Sequence, residues 1–321
     1  MHIHKDFDLS QILWFRIGGK AKYLLQCENR DDILKALDFV EEYHPNRLFF
    51  CGQGSNLIFT DDFFDGVVIQ FIAPQHPSVR FADETVTAFA GETLDTVIQM
   101  SLNNKLTDLE WAGGLPGTVG AGIRGNVGAF GGEIKDTLMQ AEVFSFDDKN
   151  IDVIEVPKEE FHFSYRNSLV KEHKNMIVTS ATFRLTPTQD TATLVKARST
   201  YAANIDYRKT HHPLEYPNCG SVFKNIKKPE EVKKILTVWP EIKPLIKEKW
   251  HGKVSMGYIN TRLGFKGYKI GNAVVSDKHA NFINNLGGAT AKDVLTIIKH
   301  IQDMVEETFA IRPEVEVEIV Q

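Results

Sequence analysis

The sequence has few cysteines, no long apolar run and no excess of positive charge. Its 321 residues contain only three cysteines, which are unclustered and odd in number; this argues against a disulfide framework and for a reducing compartment. No stretch approaches the roughly 20 apolar residues that cross a bilayer, and Asp6 stands where a signal peptide would need its apolar region. The net charge of −5 gives no reason to expect DNA as a partner. We therefore expect a soluble, cytoplasmic protein with no membrane or nucleic-acid partner.

The apolar periodicity predicts both helices and strands, and the chain is too long for one compact core. Predicted strands cover residues 48–51, 67–71, 85–90, 141–146, 175–185 and 315–320. Predicted helices cover residues 31–44, 94–102, 188–207, 229–236 and 291–309, and the last begins with a capping box of Thr290 and Asp293. This order indicates an α+β protein of three units, of which the first two form one functional domain.

The first glycine-rich segment, Gly52-Gln53-Gly54-Ser55-Asn56, directly follows a predicted buried strand. Glycines permit positive φ and close approach, so consecutive N–H groups can point at an anion, and Ser55 and Asn56 add side-chain donors. The same pattern is typical of a tight turn between two strands. On this segment alone, a phosphate-binding loop and a simple turn are equal alternatives.

The second glycine-rich segment, residues 113–132, interleaves its glycines with Leu115, Val119, Ile123 and Phe130. Ordering so many glycines costs on the order of half to one kcal/mol each relative to alanine in regular structure. A flexible linker would avoid that cost, but it would lack the interleaved apolar residues. The segment therefore indicates an ordered loop against a large, flat ligand.

Gly120, Gly122 and Gly125 fit the dinucleotide-binding pattern G-x-G-x-x-G. That pattern indicates a Rossmann site only where it follows a strand and opens a helix. The preceding residues, 113–117, contain three glycines and a proline and cannot form a central strand. A Rossmann nicotinamide site is therefore not expected.

Further sequence words accompany the two glycine-rich segments. They are Phe15-Arg16-Ile17-Gly18-Gly19, Tyr165-Arg166-Asn167-Ser168, Pro217-Asn218-Cys219-Gly220-Ser221-Val222-Phe223-Lys224-Asn225 and Lys278-His279-Ala280-Asn281-Phe282-Ile283. In this order, and from about residue 15 to the C-terminus, the chain resembles the UDP-N-acetylenolpyruvoylglucosamine reductases of bacterial peptidoglycan synthesis. It is similar to the second subtype of that family, because residues 177–185 pass into the next helix with no room for an inserted tyrosine-bearing loop.

The resemblance implies a two-subdomain FAD-binding fold of the vanillyl-alcohol-oxidase (PCMH) type with a C-terminal α+β substrate domain. The implied divisions are residues 1–76 and 77–206 for the two FAD-binding subdomains, 207–309 for the substrate-binding domain, and 310–321 for a strand returning to the active site. The implied cofactor is FAD, the co-substrate is NADPH, and the substrate is UDP-N-acetylglucosamine enolpyruvate, which is reduced to UDP-N-acetylmuramate. We expect a monomer.

The cofactor-binding residues that the resemblance implies all lie in the two glycine-rich segments. They are Gly52, Gln53, Gly54, Ser55, Asn56, Gly114, Pro116, Gly117, Thr118, Gly120, Ala121, Asn126 and Gly128. The implied substrate-binding residues are Tyr165, Lys224 and Asn225.

The family's reaction is a conjugate addition of hydride to an enolpyruvyl ether. Negative charge flows into the carboxylate, and an acid must protonate the α-carbon. The resemblance assigns the carboxylate to Arg166, which can engage it with two N–H groups, and the proton to Ser221. Spacing alone would favour an exposed ion pair for Arg166 and a turn position for Ser221.

The third catalytic residue of the family is a glutamate near the C-terminus. Pro313-Glu314-Val315 mimics the family word, but counting without gaps from Phe309 places Glu316 at the catalytic position. Both glutamates would lie on one strand face, so the pattern cannot separate them. The prediction is Glu316, with Glu314 as the alternative and a solvated strand edge as the interpretation without function.

The chain departs from the family pattern in the word Tyr258-Ile259-Asn260, at His211 and at Ile226, and the first two departures stand near expected substrate contacts. These departures affect UDP-sugar binding rather than the flavin site. His211 and His212 lack other ligands at metal-binding spacing, so no metal site is expected.

Two other functions compete with the reductase. A flavin oxidase of the same fold would need no combination of Arg166 with Ser221, and air would rapidly reoxidise it. A flavin- or nucleotide-sugar-binding protein without catalysis would bind a UDP-sugar tightly and would not oxidise NADPH.

Overall fold

The structure, a computed structural model, describes residues 1–146 and 151–321. These residues form two compact units, each assembled from three separate segments of the chain. Unit 1 comprises Met1–Phe7, Ala21–Gln53 and Phe64–Thr210, and unit 2 comprises Asp8–Lys20, Gly54–Phe63 and His211–Gln321. The four functional divisions predicted from the sequence remain a prediction.

Unit 1 contains a four-stranded sheet in its N-terminal part. The strands, in spatial order, are His2–Asp8, Lys20–Cys27, Phe64–Phe71 and Leu48–Cys51. The last three run parallel, with Phe64–Phe71 paired to both of the others. Parallel strands need a crossover connection, and helix Arg30–Tyr43 supplies the one from Lys20–Cys27 to Leu48–Cys51. The strand ends of Lys20–Cys27 and Leu48–Cys51 therefore share one edge of the sheet, and the first glycine-rich segment leaves from that edge.

A second, antiparallel sheet of unit 1 has five strands. In spatial order they are Ile151–Pro157, Leu138–Phe146, Met176–Arg184, Thr85–Phe89 and Val79–Ala82. The face predicted for residues 177–185 is buried, since Ile177, Thr179, Ala181, Phe183 and Leu185 are all buried, but the alternation is not strict because Val178 is buried as well. Helix Leu94–Asn103, capped by Thr93, follows this sheet's strand Thr85–Phe89.

The other elements of unit 1 are short, apart from one long helix. The short strand pairs are Leu106–Thr107 with Thr186–Pro187 and Gly128–Ala129 with Gly132–Glu133; the short helices are Glu110–Ala112, Val119–Arg124, Ile134–Asp136, Lys158–Phe161 and Leu169–Glu172. The long helix Thr191–His211 was predicted at 188–207. It begins seven residues after strand Met176–Arg184 ends, so the short link expected of the second subtype is present.

Unit 2 packs its helices around one apolar core. Its helices are Leu9–Gln11, Pro229–Val238, Pro240–Ile242, Lys243–Glu248, Met256–Arg262 and Ala291–Phe309, and its antiparallel sheet contains Lys269–Ile270, Ala273–Val275 and Ile283–Asn285. The predicted capping box is confirmed: Asp293 N donates to Thr290 Oγ1 at 3.1 Å, and Thr290 N donates to Asp293 Oδ2 at 3.0 Å. Val294, Ile297 and Ile301 of the same helix are fully buried.

The predicted C-terminal strand, 315–320, is shorter than expected. Glu318–Val320 pairs in parallel with Leu57–Phe59, whereas Val315 makes only an isolated antiparallel bridge with Phe223. The interruption arises because the segment changes partners between these two contacts. No helix in the described parts of the chain is long and apolar enough to span a membrane.

Candidate functional site

The two glycine-rich segments meet within unit 1. Gly52 lies so close to Thr118 that a β-carbon at Gly52 would stand 2.4 Å from Thr118 Oγ1. Beside this contact, Gly117 adopts a φ of +133° and donates its N–H to Gln53 Oε1 at 3.0 Å. Any side chain at Gly52 would therefore separate the segments. The structure thus joins two sequence motifs that pattern analysis could only consider separately.

Backbone hydrogen bonds hold the second segment in place. Leu94 N donates to Gly117 O at 3.1 Å, Val119 N donates to Glu92 O at 2.9 Å, and Gly120 N donates to Ala90 O at 2.9 Å. The G-x-G-x-x-G pattern falls on the short helix Val119–Arg124, and the residues before that helix form a loop rather than a strand. The structural context of a Rossmann motif is absent here, as the sequence predicted.

The rest of the first glycine-rich segment belongs to unit 2. Asn56 Nδ2 donates to Glu316 O at 3.4 Å, and Asn56 O accepts from Glu318 N at 3.1 Å. Gly54 O accepts from Trp14 N at 3.4 Å. A predicted cofactor-binding residue, Asn56, is therefore bonded to the backbone of a predicted catalytic residue, Glu316.

Arg166 lies at the tip of a tight turn in unit 1. Ser164 and Asn167 close the turn with two backbone hydrogen bonds of 3.2 Å, and Arg166 has a φ of +60°. This left-handed conformation costs an ordinary residue about 1 kcal/mol, so other contacts must hold it. One is a hydrogen bond of 2.9 Å from Arg166 Nη2 to Gly128 O, and another is the Tyr165 ring, whose centroid lies 5.0 Å from the guanidinium carbon.

Asn126 ties the Arg166 turn to the second glycine-rich segment. The side chain is fully buried, and Nδ2 donates to Ser164 O at 3.0 Å and to Glu133 Oε2 at 3.1 Å. Its Oδ1 accepts from Lys135 N at 3.3 Å. Asn126, predicted to contact the cofactor, therefore also anchors the turn that presents Arg166.

Ser221 and Glu316 lie on neighbouring backbone segments of unit 2. Glu316 N donates to Val222 O at 2.8 Å, and Lys224 N donates to Glu314 O at 2.9 Å. These bonds flank the bridge between Phe223 and Val315. The structure thus brings together two of the three predicted catalytic residues, while Arg166 is part of the other unit.

The two candidate glutamates have different surroundings. The Glu314 carboxylate forms an ion pair with the Lys224 ammonium, and the Glu314 side chain is 65% exposed. Glu316 is less exposed and adjoins both Asn56 and Val222. Lys224, predicted to bind substrate, is therefore already engaged by Glu314, and Asn225 Oδ1 accepts from Met256 N at 3.1 Å.

The family departures have structural partners. Asn260 is fully buried, and its Nδ2 donates to Ala280 O at 2.9 Å, so its side chain serves the core of unit 2. Tyr258 packs against Trp250, with ring centroids 5.0 Å apart. His211 is exposed at the end of its helix. Within the described residues, no group of three or more His, Cys, Asp or Glu side chains is arranged to hold a metal ion.

Unsatisfied buried polar atoms surround the second glycine-rich segment. Across the described chain, five buried side-chain atoms lack a hydrogen-bond partner, and three of them belong to Glu92, Trp111 and Arg208. Glu92 O accepts a hydrogen bond from Val119 N, and Trp111 lies two residues before the segment. Orphaned buried polar atoms are rare in native proteins, so these positions fit a polar ligand held against the loop.

Arg208 is the most informative of these residues, and the sequence analysis missed it. Its side chain is 8% exposed, Nε donates to Gly113 O at 3.0 Å, and the guanidinium carbon lies 5.1 Å from the Phe130 ring centroid. Nη2 has no partner in the described structure, and burial lowers the pKa of Arg208 to about 10. The predicted polar connecting helix ended at residue 207, one residue before Arg208, and an arginine at that place carries no signal that distinguishes it from its solvated neighbours.

Comparisons with known proteins cover both parts of the chain. Residues 21–152 match a model for an FAD binding domain, and residues 212–320 match the model for the UDP-N-acetylenolpyruvoylglucosamine reductase C-terminal domain. A reductase of that name from Latilactobacillus sakei is 37% identical over 320 residues, covering 100% of this chain and 94% of the relative. One from Clostridium perfringens is 33% identical over 319 residues, covering 98% of this chain and 92% of the relative.

A solved structure gives the same result. The UDP-N-acetylenolpyruvylglucosamine reductase of Thermus caldophilus superposes with a TM-score of 0.74 at 26% identity, with complete coverage of both chains. Similarity therefore extends through the FAD-binding part, the C-terminal part and the complete fold. This chain belongs to the UDP-N-acetylenolpyruvoylglucosamine reductase family.

Proposed function

We propose that this protein reduces UDP-N-acetylglucosamine enolpyruvate to UDP-N-acetylmuramate in peptidoglycan precursor synthesis, with FAD as cofactor and NADPH as reductant. The observation that carries this proposal is the full-length similarity, which includes both the FAD-binding part and the C-terminal part. NADPH and the UDP-sugar would use the same site in turn, a ping-pong cycle. Both are cytoplasmic metabolites, so the proposed location is the cytoplasm, and the proposed state is a monomer.

The two glycine-rich segments would hold the cofactor. The close approach of Gly52 to Thr118 places the two segments side by side, and Arg208 Nη2 would donate a charge-assisted hydrogen bond to a cofactor oxygen. Bound FAD supplies hydride acceptance from NADPH and hydride donation to the enolpyruvyl group. The protein's contribution is to orient the reactants and to handle charge and protons.

Arg166 would bind the carboxylate in which negative charge accumulates. The Tyr165 ring and Gly128 O already restrain its guanidinium, so little reorganisation is needed as the charge develops. Preorganised donors of this kind are typically worth a factor of 10² to 10³ in rate. Tyr165 would line the same site.

Ser221 would deliver a proton to the α-carbon, with Glu316 beside it. An ordinary serine hydroxyl is a poor acid, so it needs a polarising neighbour and a route for reprotonation. The hydrogen bond between Glu316 N and Val222 O supports Glu316 for that role, and the ion pair with Lys224 argues against Glu314. Lys224 and Asn225 would contact the diphosphate or sugar of the substrate.

The experiment that tests this function follows the flavin spectrum. Purified protein is reduced with NADPH without air, and UDP-N-acetylglucosamine enolpyruvate is then added. Loss of flavin absorbance and its return on substrate addition would establish both half-reactions. Bleaching without return, followed by fast reoxidation in air, would favour the flavin oxidase.

Two other results would also overturn the proposal. Tight binding of a UDP-sugar with no NADPH oxidation would indicate a binding protein without catalysis. A colourless protein that cannot be reconstituted with FAD would exclude flavin chemistry altogether. Light scattering after size exclusion would test the monomer.

A further inference from the structure

The Asn281 side chain forms hydrogen bonds with both backbone polar groups of a single residue, Phe223, and we call this pair of bonds the clamp. Its Oδ1 accepts from Phe223 N at 3.1 Å, and its Nδ2 donates to Phe223 O at 2.9 Å. A third bond, from Val222 N to the backbone oxygen of Asn281, measures 2.8 Å. The side chain is 4% exposed. Asn281 therefore acts on this segment as one residue of an adjacent strand would.

The opposite edge of the same segment faces the C-terminal glutamates. Glu316 N bonds to Val222 O, and Lys224 N bonds to Glu314 O. Residues 222–224 thus lie between two hydrogen-bonding partners, with Asn281 along one side and residues 314–316 along the other. The bond from Val222 N fixes the peptide that joins Val222 to Ser221, so Asn281 limits the positions that Ser221 can take.

Asn281 is itself held by a neutral histidine. Its backbone N–H donates to His279 Nδ1 at 3.2 Å, which requires that nitrogen to be unprotonated. Burial lowers the pKa of His279, which favours the neutral ring. The clamp is therefore a chain of satisfied, largely buried hydrogen bonds, and such networks specify one local geometry.

We propose that Asn281 is a positioning residue for proton delivery, which holds Ser221 at a fixed place beside Glu316 by clamping Phe223. The inference rests on the proposed roles of Ser221 and Glu316. Asn281 acts on protonation of the substrate carbon and not on reduction of the flavin by NADPH. Displacement of a reacting group by about 1 Å typically costs a factor on the order of 10² in rate.

The test uses Asn281→Asp, which has the same shape but cannot donate to Phe223 O. Stopped-flow absorbance measures flavin reduction by NADPH and flavin reoxidation by UDP-N-acetylglucosamine enolpyruvate separately. We expect reduction within about twofold of wild type and reoxidation about 30-fold slower, with kcat lowered and the substrate dissociation constant little changed. Asn281→Ser, which also loses the two-bond clamp, keeps the test decisive if Asn281→Asp does not fold.

Asn285→Asp is the matched control. Asn285 is also buried in unit 2, and its Nδ2 donates to Phe15 O at 3.0 Å while its Oδ1 accepts from Gly287 N at 2.9 Å. It makes no bond to residues 221–224. We expect a lower melting temperature and an unchanged ratio of the two half-reaction rates.

Double substitution separates positioning from general destabilisation. In a Ser221→Ala background, Asn281→Asp should slow reoxidation little further, because effects of residues that act as one unit are not additive. Full additivity, or equal slowing of both half-reactions by Asn281→Asp, would overturn the inference. Normal reoxidation by Ser221→Ala would instead remove the proton-donor assignment, which is a distinct failure.

Discussion

In each of the two units, a buried asparagine forms hydrogen bonds with the backbone near a predicted catalytic residue, but the two asparagines bond in different ways. In unit 1, Asn126 bonds to three separate places: the turn that carries Arg166, the Glu133 side chain and the Lys135 backbone. In unit 2, Asn281 directs both side-chain atoms at one residue, Phe223. Asn126 therefore connects several loops, whereas Asn281 makes the two hydrogen bonds to Phe223 that a residue of a neighbouring strand would make.

The difference follows from the backbone that each asparagine supports. Arg166 has a positive φ and depends on tertiary contacts to keep it. The Ser221 segment needs only a partner along each edge. Arg166 is therefore coupled to the segment that would bind the cofactor, whereas Ser221 is coupled to Glu316 and Asn281. Substitution of Asn126 should accordingly weaken cofactor binding as well as slow reoxidation, whereas substitution of Asn281 should slow reoxidation alone.

The largest effect is expected from Arg166→Met. Loss of the charge that we propose to bind the substrate carboxylate should slow flavin reoxidation by a factor on the order of 10³, with flavin reduction by NADPH much less affected. Arg166→Lys should recover only part of the rate, because lysine cannot engage a carboxylate with two N–H groups. Arg184→Met, which removes an exposed arginine paired with Glu84 in the same unit, is the control. Equal rates for Arg166→Met and Arg184→Met would contradict the assignment.

Glu316→Gln should have the next largest effect. Reoxidation should slow by a factor on the order of 10², as expected when a group that assists proton transfer is removed. Glu314→Gln, the matched variant, loses only its ion pair with Lys224, and we expect its rate within about threefold of wild type because exposed ion pairs contribute little. Stopped-flow reoxidation compares the two, and the opposite order would move the catalytic position to Glu314.

Arg208→Gln tests the cofactor side of unit 1. Loss of a charge-assisted hydrogen bond typically costs about 1.5 to 3 kcal/mol, which corresponds to weakening of FAD binding by a factor on the order of 10 to 100. Fluorescence titration of the apoprotein with FAD measures the dissociation constant. Arg198→Gln, on the same helix but exposed, should bind FAD as wild type does. Unchanged affinity for Arg208→Gln would show that its Nη2 does not face the cofactor.

The smallest effect is expected from Asn126→Asp, whose FAD affinity and reoxidation rate are to be compared with those of Asn281→Asp. Asn126→Asp places a carboxylate beside Ser164 O and Glu133, so we expect weaker FAD binding and a roughly tenfold loss in reoxidation together. Asn281→Asp should leave FAD affinity unchanged. Asn175→Asp, at an exposed site that bonds to Phe146 O, is the control in unit 1. Identical profiles for Asn126→Asp and Asn281→Asp would mean that the two asparagines do not act on separate functions.

Local pattern predicted much of the fold, because helices and strands depend on short-range periodicity. The strand 48–51, the helix 291–309 and its capping box all occur where the sequence places them. Resemblance also singled out Arg166, Ser221 and the glycine-rich segments, whose roles remain proposals. Each of these features is encoded in a short run of consecutive residues, so each can be identified separately from the sequence.

Contacts between distant residues could not be predicted in this way. Arg208 lies in an otherwise polar helix, and only the structure shows that its guanidinium is buried against Gly113 and Phe130. Asn281 was seen as part of a family word, but its clamp on Phe223 depends on residues 58 positions apart. The ion pair of Lys224 with Glu314 separates the two candidate glutamates, which no strand pattern could do.

The pairing of Glu318–Val320 with Leu57–Phe59 constrains the order in which the protein can mature. Asn56 and Glu316 are 260 positions apart, so the strand at 57–59 emerges from the ribosome long before its parallel partner exists. Contacts of such long range form slowly, and an unpaired strand is prone to aggregate while it waits. Unit 2 can therefore pair its strand Leu57–Phe59 only after residues 318–320 are made. Chaperone demand during translation should concentrate on this interval.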